Sequence, residues 1–469
     1  MAVADNGGFD VTIELNRAAL VAAVAGTLAL PLTHSTVSVS GIQADVTPVA
    51  TVSDVELLAS DDVVAVIGID GTTLQVTSVP FLPGPIAPWL GLITLTGHVR
   101  VTDHLEIRNL ALVVDFSADA LRSQPGVVAT LDEAALFSSP LMILYLAGTV
   151  LQGQAVYQAA RSAILTTLQT AFEGAVRTAL AALGLVTLAS PPGLPLAPRS
   201  AALRTRTQSL HLLYAVGGPA GDPNLISRSM LLASGAGVPL DAVALDISNT
   251  CLLRDLVRPV LAARLALPTA GFLPDHPCFF IGASPLTVPG GTPFGTAGVV
   301  VNSVMTGIDE TGLLHVIVRL TVLGIGGAFT YKATINAAMR MTATLTGRTL
   351  TVALAPAGTP VVTGSDIDIA WWVYAAAALT GGSLLLSVLA TIDLLGGLLL
   401  AGPVGAAVGA VIPTVTVSTP LPGRVPPLAL RATSLNQLDA PRRTIMLPGP
   451  TPIPIPDAFR SHDVILNLV

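Results

Sequence analysis

The chain has 469 residues, of which 52% are hydrophobic and only 11% charged, and its formal net charge is −7. A chain this apolar and this weakly charged buries far more surface than ordering costs, which excludes intrinsic disorder. The 22 basic residues include a single lysine, Lys332, and form no basic stripe, which argues against nucleic-acid binding and against a cationic attraction to anionic membranes. The length indicates two or three domains.

The N-terminal segment MAVADNGGFDVTIELN has no basic region followed by an apolar run. That combination marks a secretory signal peptide, so we expect a cytoplasmic protein as encoded. A mature form of an exported protein, or export by another route, is the alternative, and the sequence leaves the compartment open.

The first predicted elements are a strand and a helix. Val11, Ile13 and Leu15 alternate with polar residues, which predicts a half-buried strand. Apolar residues then recur at every fourth position, which predicts an amphipathic helix. Asn16 lies at the switch between the two patterns, where its side chain is expected to cap the helix.

A strand-rich region and a long helical region follow. Alternation from Val37 to Phe116, clearest in ITLTGHVRVTDHLEIRNLALVVDF, predicts a meander with a turn at Asp70-Gly71. An apolar helical region is predicted over about Leu141 to Leu183. One apolar stripe is predicted along it, with Glu173 and Arg177 paired on its polar side. The stripe consists of Ile164, Leu168, Phe172, Val176 and Leu180. A proline-rich segment, SPPGLPLAPRSAALRTRT, then leaves the helix.

The same order of elements recurs about 230 residues later. At an offset of 232, the strand pattern falls on Val243, Leu245 and Ile247, and Ser248 takes the place of Asn16 as the predicted cap. Strand-like alternation then runs from Val299 to Val362, and an apolar helical region from Trp372 to Val411. A second proline-rich segment, STPLPGRVPPLALRATS, follows, and its Ala-Leu-Arg triplet lies 227 residues after that of the first. We infer an internal duplication.

The end of the chain is extended in this interpretation. Prolines at alternate positions from Pro448 to Pro456 force an extended path that cannot form a normal strand ladder. A last strand, DVILNLV, is predicted after them. The predicted organisation is a unit at 1–215, a linker at 216–240 and a second unit at 241–469.

Two uncharged or nearly uncharged stretches raise the question of a membrane span. Asp393 is the only charge between Ala370 and Ile412, a length sufficient for two spanning helices with Trp371 and Trp372 at an interface. A second stretch covers Ser138 to Tyr157. A mid-membrane aspartate is costly, and the flanks lack the Lys/Arg bias that fixes orientation. We therefore favour a helix buried inside a soluble protein and keep an integral membrane protein as an alternative.

This order of elements resembles the bactericidal/permeability-increasing protein family of the tubular lipid-binding (TULIP) superfamily. The best local points are VTIELNRAALVAAV, the helix around Ile164 to Leu183, and the final DVILNLV. The resemblance implies an α+β fold of two tandem pseudo-symmetric units, each a long helix wrapped by a curved antiparallel β-sheet, joined through a central sheet. It also implies apolar pockets between helix and sheet that hold lipid.

The sequence departs from that family in three respects. The bactericidal members have a strongly basic N-terminal half, a cysteine pair in the first half and a signal peptide. This chain is acidic overall, its cysteines are Cys251 and Cys278, and no signal peptide is visible. The acidic balance argues against endotoxin binding, whereas lipid binding is compatible with all three departures.

The composition suits a lipid-lined interior. Aromatic residues are only 4% of the chain, so little bulk is available to fill the space between helix and sheet. Each methylene moved into such a tunnel gains about 0.8 kcal/mol, or roughly 13 kcal/mol for a 16-carbon acyl chain before ordering costs. The candidate wall residues are Leu20, Val24, Leu28, Ile164, Leu168, Phe172, Leu252, Leu256 and Val260. Plain core packing would give the same spacing, and that alternative stays open.

Candidate chemistry is weak elsewhere. No His-Glu-x-x-His pair, Walker loop or Rossmann fingerprint occurs; the run at Gly324 lacks its third glycine, and Ser284 lacks the closing glycine of a nucleophile elbow. Asp275-His276-Pro277-Cys278 is interpreted as a structural turn in preference to a Cys–His nucleophile. His98 and His104 share a strand face but have no third metal ligand.

These observations predict a non-enzymatic lipid-binding or lipid-transfer protein, without catalytic residues, metal or cofactor other than a bound lipid or fatty acid. Its partners would be lipid, a transiently contacted membrane, and either another protein or a second copy. The first alternative is a structural or assembly protein that uses the same apolar surface for association. The two cysteines are expected to be buried thiols in preference to a disulfide. Arg254, Asp255 and Arg258 are expected on a solvated or domain-contacting face, with a lipid head group as the alternative contact.

Overall fold

The computed structural model describes most of the chain. The described residues are 7–25, 30, 32, 34–39, 42–58, 62–79, 84, 86–117, 126–151, 153–194, 196–206, 208–226, 243–274, 276–287, 296–308, 313–346, 349–358, 361–379, 387–390, 415–420, 430–436 and 463–468. Strands are the commonest elements among them, and every pairing between these strands is antiparallel. The predicted α+β class is therefore confirmed.

The helices are unequal in length. They are α1 (Arg17–Ala25), α2 (Pro88–Gly91), α3 (Glu133–Phe137), α4 (Pro140–Val150), α5 (Gln154–Leu183), α6 (Asn249–Cys251), α7 (Arg258–Arg264) and α8 (Trp371–Leu379). A π-helical turn, Leu252–Val257, joins α6 to α7. Short 3₁₀ turns occur at Pro223–Leu225, Thr269–Gly271 and Ile325–Gly327.

A six-stranded sheet, here called the central sheet, draws strands from both ends of the chain. Its order is β12 (Ser200–Thr205), β13 (Ser209–Ala215), β1 (Val11–Asn16), β14 (Val243–Ile247), β23 (Asp463–Leu468) and β22 (Leu430–Asn436). The two strands predicted to correspond, β1 and β14, are direct neighbours, with Ile13 opposite Leu245. The predicted final strand DVILNLV is confirmed as β23, which pairs with β14.

The predicted meander from Val37 to Phe116 forms strands, but in two sheets. One has the order β11 (Leu185–Ala189), β9 (Ala111–Asp115), β8 (Gly97–Arg108), β5 (Asp62–Gly68) and β4 (Thr51–Leu57), with β10 (Val127–Leu131) also paired to β8. The other is β2 (Ser35–Val39), β3 (Ile42–Thr47), β6 (Thr72–Ser78) and β7 (Leu92–Leu95). Gly71 makes the predicted turn with φ of 88°, and that turn leads from one sheet to the other.

The last sheet contains the strands predicted after Val299. Its order is β15 (Phe279–Leu286), β16 (Thr296–Ile308), β17 (Leu313–Gly324), β18 (Phe329–Thr346), β19 (Thr349–Pro356) and β21 (Val415–Pro420), and β20 (Val361–Ile369) also pairs with β18. Strand β17 shows the predicted alternation, because every second residue from Leu314 to Val322 is buried. The alternating pattern therefore marks the face of this sheet that packs on the core.

Both predicted helix caps are confirmed. The backbone N–H of Ala19 donates to Asn16 Oδ1 at 2.8 Å, and that of Cys251 donates to Ser248 Oγ at 3.1 Å. Each side chain satisfies one of the amide donors that a helix leaves free in its first turn. The strand-to-helix switch at β1–α1 and at β14–α6 is thus made by the same device.

Two details of the predicted elements in the first half of the chain differ from the structure. Strand β1 is buried on both faces and not on one, and Phe9, Leu213 and Ile226 form a hydrophobic cluster separate from the main one. The helical region from Leu141 to Leu183 is divided between α4 and α5, and Gly153, with φ of 119°, lies at the break. A side chain at that φ is strained, whereas glycine adopts it readily.

The second predicted amphipathic helix is also irregular. Pro259 has no N–H to donate and its ring would collide with the carbonyl four residues earlier in a regular helix. Here the N–H of Arg258 donates to Leu253 O, five residues back, within the π-helical turn. The extra residue in this turn rotates the following face, so Leu261 is buried and Val260 only partly so.

No helix in the described ranges is both long and apolar enough to cross a bilayer. The Ser138–Tyr157 stretch is shared between α4 and the start of α5. From the predicted helical region Trp372–Val411, the structure describes α8 and residues 387–390. The described residues do not include the rest of that region, Leu28, Asp275 or the prolines from Pro448 to Pro456.

Candidate functional site

The predicted wall residues lie in one apolar interior. Leu20, Val24, Ile164, Leu168, Phe172, Leu252 and Leu256 are buried members of a single continuous hydrophobic cluster, and Val260 packs against it half-buried. The structure therefore brings together eight of the nine candidates, from α1, α5, the π-helical turn and α7. Leu28 is outside the described residues.

Helix α5 supplies the longest run of this interior. Its buried residues at four-residue spacing are those of the predicted stripe: Ile164, Leu168, Phe172, Val176 and Leu180. The helix packs on β10, β8 and β2 and against α4. Glu173 accepts a hydrogen bond from the Ala129 N–H of β10 at 2.9 Å, and its pairing with Arg177 stays a prediction. A side chain from the helix thus satisfies a backbone donor on the side of β10 away from β8.

Helix α1 is held to the sheet by charge as well as by apolar contact. It packs on β4, and Arg17 forms an ion pair with Asp54, with Nε donating to Oδ1 at 2.8 Å. The Arg17 guanidinium holds the pKa of the Asp54 carboxyl below its usual range, chiefly through this hydrogen bond. Both side chains are more than a third exposed, so the pair orients α1 and adds little stability.

The charged residues of the π-helical turn make contacts within the chain. Arg254 Nη2 lies 3.0 Å from Asp10 Oδ1 and 2.6 Å from Asp255 Oδ2. The other oxygen of Asp10 accepts hydrogen bonds from the N–H groups of residues 216–218 at 2.8, 3.0 and 3.0 Å. Arg258 lies over the ring of Phe272 at 4.4 Å. Arg254 therefore joins the first strand of the chain to the helix that follows β14.

The sheets contribute buried residues to the same cluster that were not among the predicted candidates. On β8, Val99, Val101 and Leu105 belong to the same buried cluster as the helix residues. Their alternation with polar residues in GHVRVTDHLEIR predicts that they share one buried face, because alternate strand residues lie on the same face of a sheet. The nine candidates were chosen by helix periodicity alone, so all of them came from predicted helices.

One carboxyl interrupts this apolar strand face. Asp103 lies between Val101 and Leu105 on the same face of β8. Its Oδ1 accepts a hydrogen bond from the His104 N–H at 2.7 Å, and its Oδ2 is buried with no hydrogen-bond partner among the described residues. Burial is the main cause that raises the pKa of Asp103 to about 6, and the negative charges of Asp115 and Glu106 add to it. Asp103 is thus a polar group at the edge of an aliphatic strand face.

The second face of the central sheet is buried and polar. Glu14 and His211 are fully buried and lie opposite each other on β1 and β13. Ser209 Oγ donates to Glu14 Oε1 at 2.6 Å, and His211 Nε2 lies 3.3 Å from the same oxygen. This pair was not predicted, because the alternation in β1 indicates one buried face and one solvated face.

The residues considered for catalysis or metal binding have structural contacts. His98 and His104, six positions apart on one strand, are separated by roughly 20 Å along it, too far to share an ion. His276 Nδ1 accepts the N–H of Cys278 at 3.2 Å, as in a turn, and Ser284 Oγ donates to Ala266 O at 2.8 Å. Within the described ranges, no group of three or more His, Cys, Asp or Glu side chains could hold a metal ion.

Both cysteines are buried free thiols, the state that the sequence analysis favoured. Burial raises the pKa of the Cys278 thiol to about 11 and raises that of Cys251 still further above its ordinary value. Neither thiol is therefore placed as a nucleophile, since the thiolate is the reactive form.

Comparison with known proteins gives little. No known family profile matches the chain, and no curated protein matches it. Among solved structures, P47 from Clostridium botulinum A2 is 9% identical with a TM-score of 0.47, over 99% of this chain and 98% of that one. P47 of Clostridium botulinum E1 is 8% identical with a TM-score of 0.41, over 98% and 99% of the two chains. Both TM-scores are below 0.5, and we draw no conclusion on fold or function from them.

Proposed function

We propose that this protein binds lipids, holding acyl chains in the apolar interior between its helices and sheets, and that it carries or stores them without chemical change. The observation that carries the proposal is the single hydrophobic cluster that contains seven candidate wall residues from distant parts of the chain, with an eighth, Val260, packed against it. Most side chains of this cluster are aliphatic. An acyl chain could enter such an interior without any specific polar contact, because each methylene withdrawn from water contributes about 0.8 kcal/mol.

We also propose that the chain consists of two related units, at 1–215 and 241–469, joined by a linker at 216–240, in the manner of the TULIP superfamily. The strand order of the central sheet supports this. Strands β12, β13 and β1 belong to the first unit, and β22, β23 and β14 occupy the mirrored positions in the second. The first Ala-Leu-Arg triplet lies in β12, and Leu430 and Arg431 of the second are the first residues of β22.

The register of β1 and β14 supports the same arrangement. Val11 pairs with Ile247 and Leu15 pairs with Val243, on either side of Ile13 and Leu245. Since the sequence offset matches Val11 with Val243 and Leu15 with Ile247, this pairing is the one that a local twofold axis between the strands would require. Two units related by this axis would each place one capped helix after its central strand.

The first test is mass spectrometry of organic extracts of the purified full chain. We expect acyl lipid in a fixed molar ratio to the protein. A lipid-free protein that forms a large oligomer would instead support the structural or assembly alternative and contradict the proposal.

A substitution distinguishes a hollow interior from a solid core. Leu168→Trp adds bulk to the buried face of α5, and Thr166→Trp adds the same bulk to its exposed face. In a hollow interior, Leu168→Trp would lower the lipid content and leave the protein folded. In a close-packed core it would cost about 1–3 kcal/mol of stability without releasing lipid. Thr166→Trp should change neither lipid content nor the midpoint of urea unfolding.

A further inference from the structure

Helix α4 presents an uncovered apolar face. Leu141, Met142, Tyr145 and Leu146 on its inner side are buried in the hydrophobic cluster. On its outer side Ile143, Leu144 and Val150 are each about half exposed, and Leu151, directly after the helix, is 90% exposed. A helix that is apolar on all sides is normally buried on all sides, so the outer side of α4 is expected to be covered.

An exposed tryptophan adjoins this helix. The short helix α2 packs against α4, and Trp89 within it is 80% exposed. We call Trp89, Ile143, Leu144, Val150 and Leu151 the α4 surface. Tryptophan favours the boundary between hydrocarbon and water, where its ring is apolar and its N–H remains hydrated.

The charge distribution selects the kind of surface that would cover it. Residues 134–160 contain no charged side chain. The residues that bound this segment, Glu133 and Arg161, pair with each other at 3.0 Å. A protein interface has a polar rim and a hydrogen bond for every 100–200 Å² or so, which a stretch this apolar does not offer. A bilayer interior requires neither.

We propose that the α4 surface inserts into one leaflet of a zwitterionic phospholipid membrane, and that this is where the protein exchanges lipid. The proposal rests on the lipid-binding function proposed above. The absence of a basic stripe and the net charge of −7 disfavour an anionic membrane, whose negative surface attracts polybasic segments. With 11 residues, α4 is about 16 Å long, which fits a helix lying in the interface and is too short to span a bilayer of about 30 Å.

The insertion is tested by flotation of the full chain with vesicles of phosphatidylcholine alone. We expect the wild-type protein to float with the vesicles at both low and high salt, because no ion pair contributes. Leu151→Glu and Ile143→Glu should each weaken the apparent affinity by about tenfold or more, since one aliphatic side chain is withdrawn from the hydrocarbon. Leu194→Glu is the matched control, because Leu194 is a 77% exposed leucine outside the α4 surface. Far-ultraviolet circular dichroism verifies that each variant is folded.

A second measurement reports on Trp89 itself. In a protein that carries Trp371→Phe and Trp372→Phe, Trp89 is the last of the chain's three tryptophans. Its emission should shift to the blue when phosphatidylcholine vesicles are added and should be quenched by brominated phosphatidylcholine. An unshifted emission in a vesicle-bound protein would overturn the assignment of this surface.

Further outcomes would also overturn it. They are a wild-type protein that does not float, equal losses in Leu151→Glu and Leu194→Glu, and a wild-type dimer that Ile143→Glu converts to monomer without any vesicle binding. The lipid content of each protein, measured by mass spectrometry, separates this inference from the proposed function. A lipid-loaded protein that does not bind vesicles contradicts only the proposed insertion of the α4 surface. A lipid-free protein whose flotation depends on Leu151 contradicts only the proposed binding of lipid in the interior.

Discussion

Asp103 is a carboxyl placed where aliphatic residues would pack better. It lies between Val101 and Leu105, which are both buried in the hydrophobic cluster. Burial raises its pKa from the ordinary 3.8 to about 6. The unfolded chain therefore releases this proton at lower pH than the folded chain does, and the folded state is penalised wherever the carboxyl must be ionised.

We predict that Asp103→Asn stabilises the protein at pH 7 and not at pH 3.5. The penalty on the wild-type protein is absent below pH 3.8, grows between 3.8 and about 6, and is complete above that. Since the side chain is only partly buried, screening by solvent reduces the expected gain to about 1–2 kcal/mol. Urea unfolding of both proteins at the two pH values measures it.

Asp115 provides a control of opposite sign in the same sheet. Hydrogen bonds from Ser117, together with the charge of Arg108, lower its pKa, so Asp115→Asn should destabilise the protein at neutral pH and lose its effect in acid. Equal responses of Asp103→Asn and Asp115→Asn to pH would contradict the placement of Asp103 on the apolar face.

The two cysteines should be unreactive in the native protein. Burial raises the pKa of Cys278 to about 11, and Cys251 is also fully buried, so at pH 8 neither thiol is ionised or accessible to a reagent. We expect both to react with an aromatic disulfide reagent only after unfolding in urea. Rapid reaction of one thiol in the native protein would place that cysteine outside the core.

At the scale of elements, the two capped helices make the clearest prediction. Asn16→Ala and Ser248→Ala each remove a side-chain acceptor from a free amide at a helix start. Each should lower the free energy of unfolding by about 1 kcal/mol, measured by urea denaturation. Asn16→Asp and Ser248→Thr retain an acceptor oxygen and should preserve most of the stability. A pair of alanine variants as stable as the wild type would show that these hydrogen bonds are not formed in solution.

Local patterns predicted local features. The apolar stripe of α5, the alternation in β17 and the positions of both caps could be derived from the sequence because each depends on neighbouring residues in the chain. The π-helical turn was foreseeable from Pro259, which removes a donor from the helix, but its effect on which residues are buried depends on how the helix then realigns.

Features that depend on distant partners were missed. The region from Val37 to Phe116 was predicted as one meander, but its strands join two sheets, because strand partners are chosen across the fold. Glu14 and His211 are fully buried, and this burial depends on chain segments distant from β1, which local alternation does not reveal. The burial of the Asp103 carboxyl was not predicted for a related reason, since a single polar residue in an alternating strand does not reveal what packs against it.

At the scale of the whole molecule, Asp10 and the central sheet connect the two ends of the fold. Asp10 accepts the Ser248 N–H through its backbone oxygen at 2.9 Å and binds Arg254 through its side chain. The backbone pairing of β1 with β14 runs beside these contacts. If one half of the chain unfolded alone, either β1 or β14 would lose its neighbouring strand. The backbone N–H and C=O groups along that side of the remaining strand would then lack hydrogen-bond partners.

We therefore predict that the two halves unfold in a single cooperative transition. Leu168→Ala, in α5, should cost about 2–5 kcal/mol by opening a cavity in the buried cluster. Both cysteines lie in the second half of the chain, so their labelling in urea reports on that half alone. If unfolding is cooperative, Leu168→Ala lowers the urea concentration at which Cys251 and Cys278 become reactive by the same amount as it lowers the circular dichroism midpoint. Thr166→Ala, on the exposed side of the same helix, should move neither. A labelling midpoint that stays fixed while the circular dichroism midpoint falls would mean that the halves unfold separately, and that the central sheet joins them only weakly.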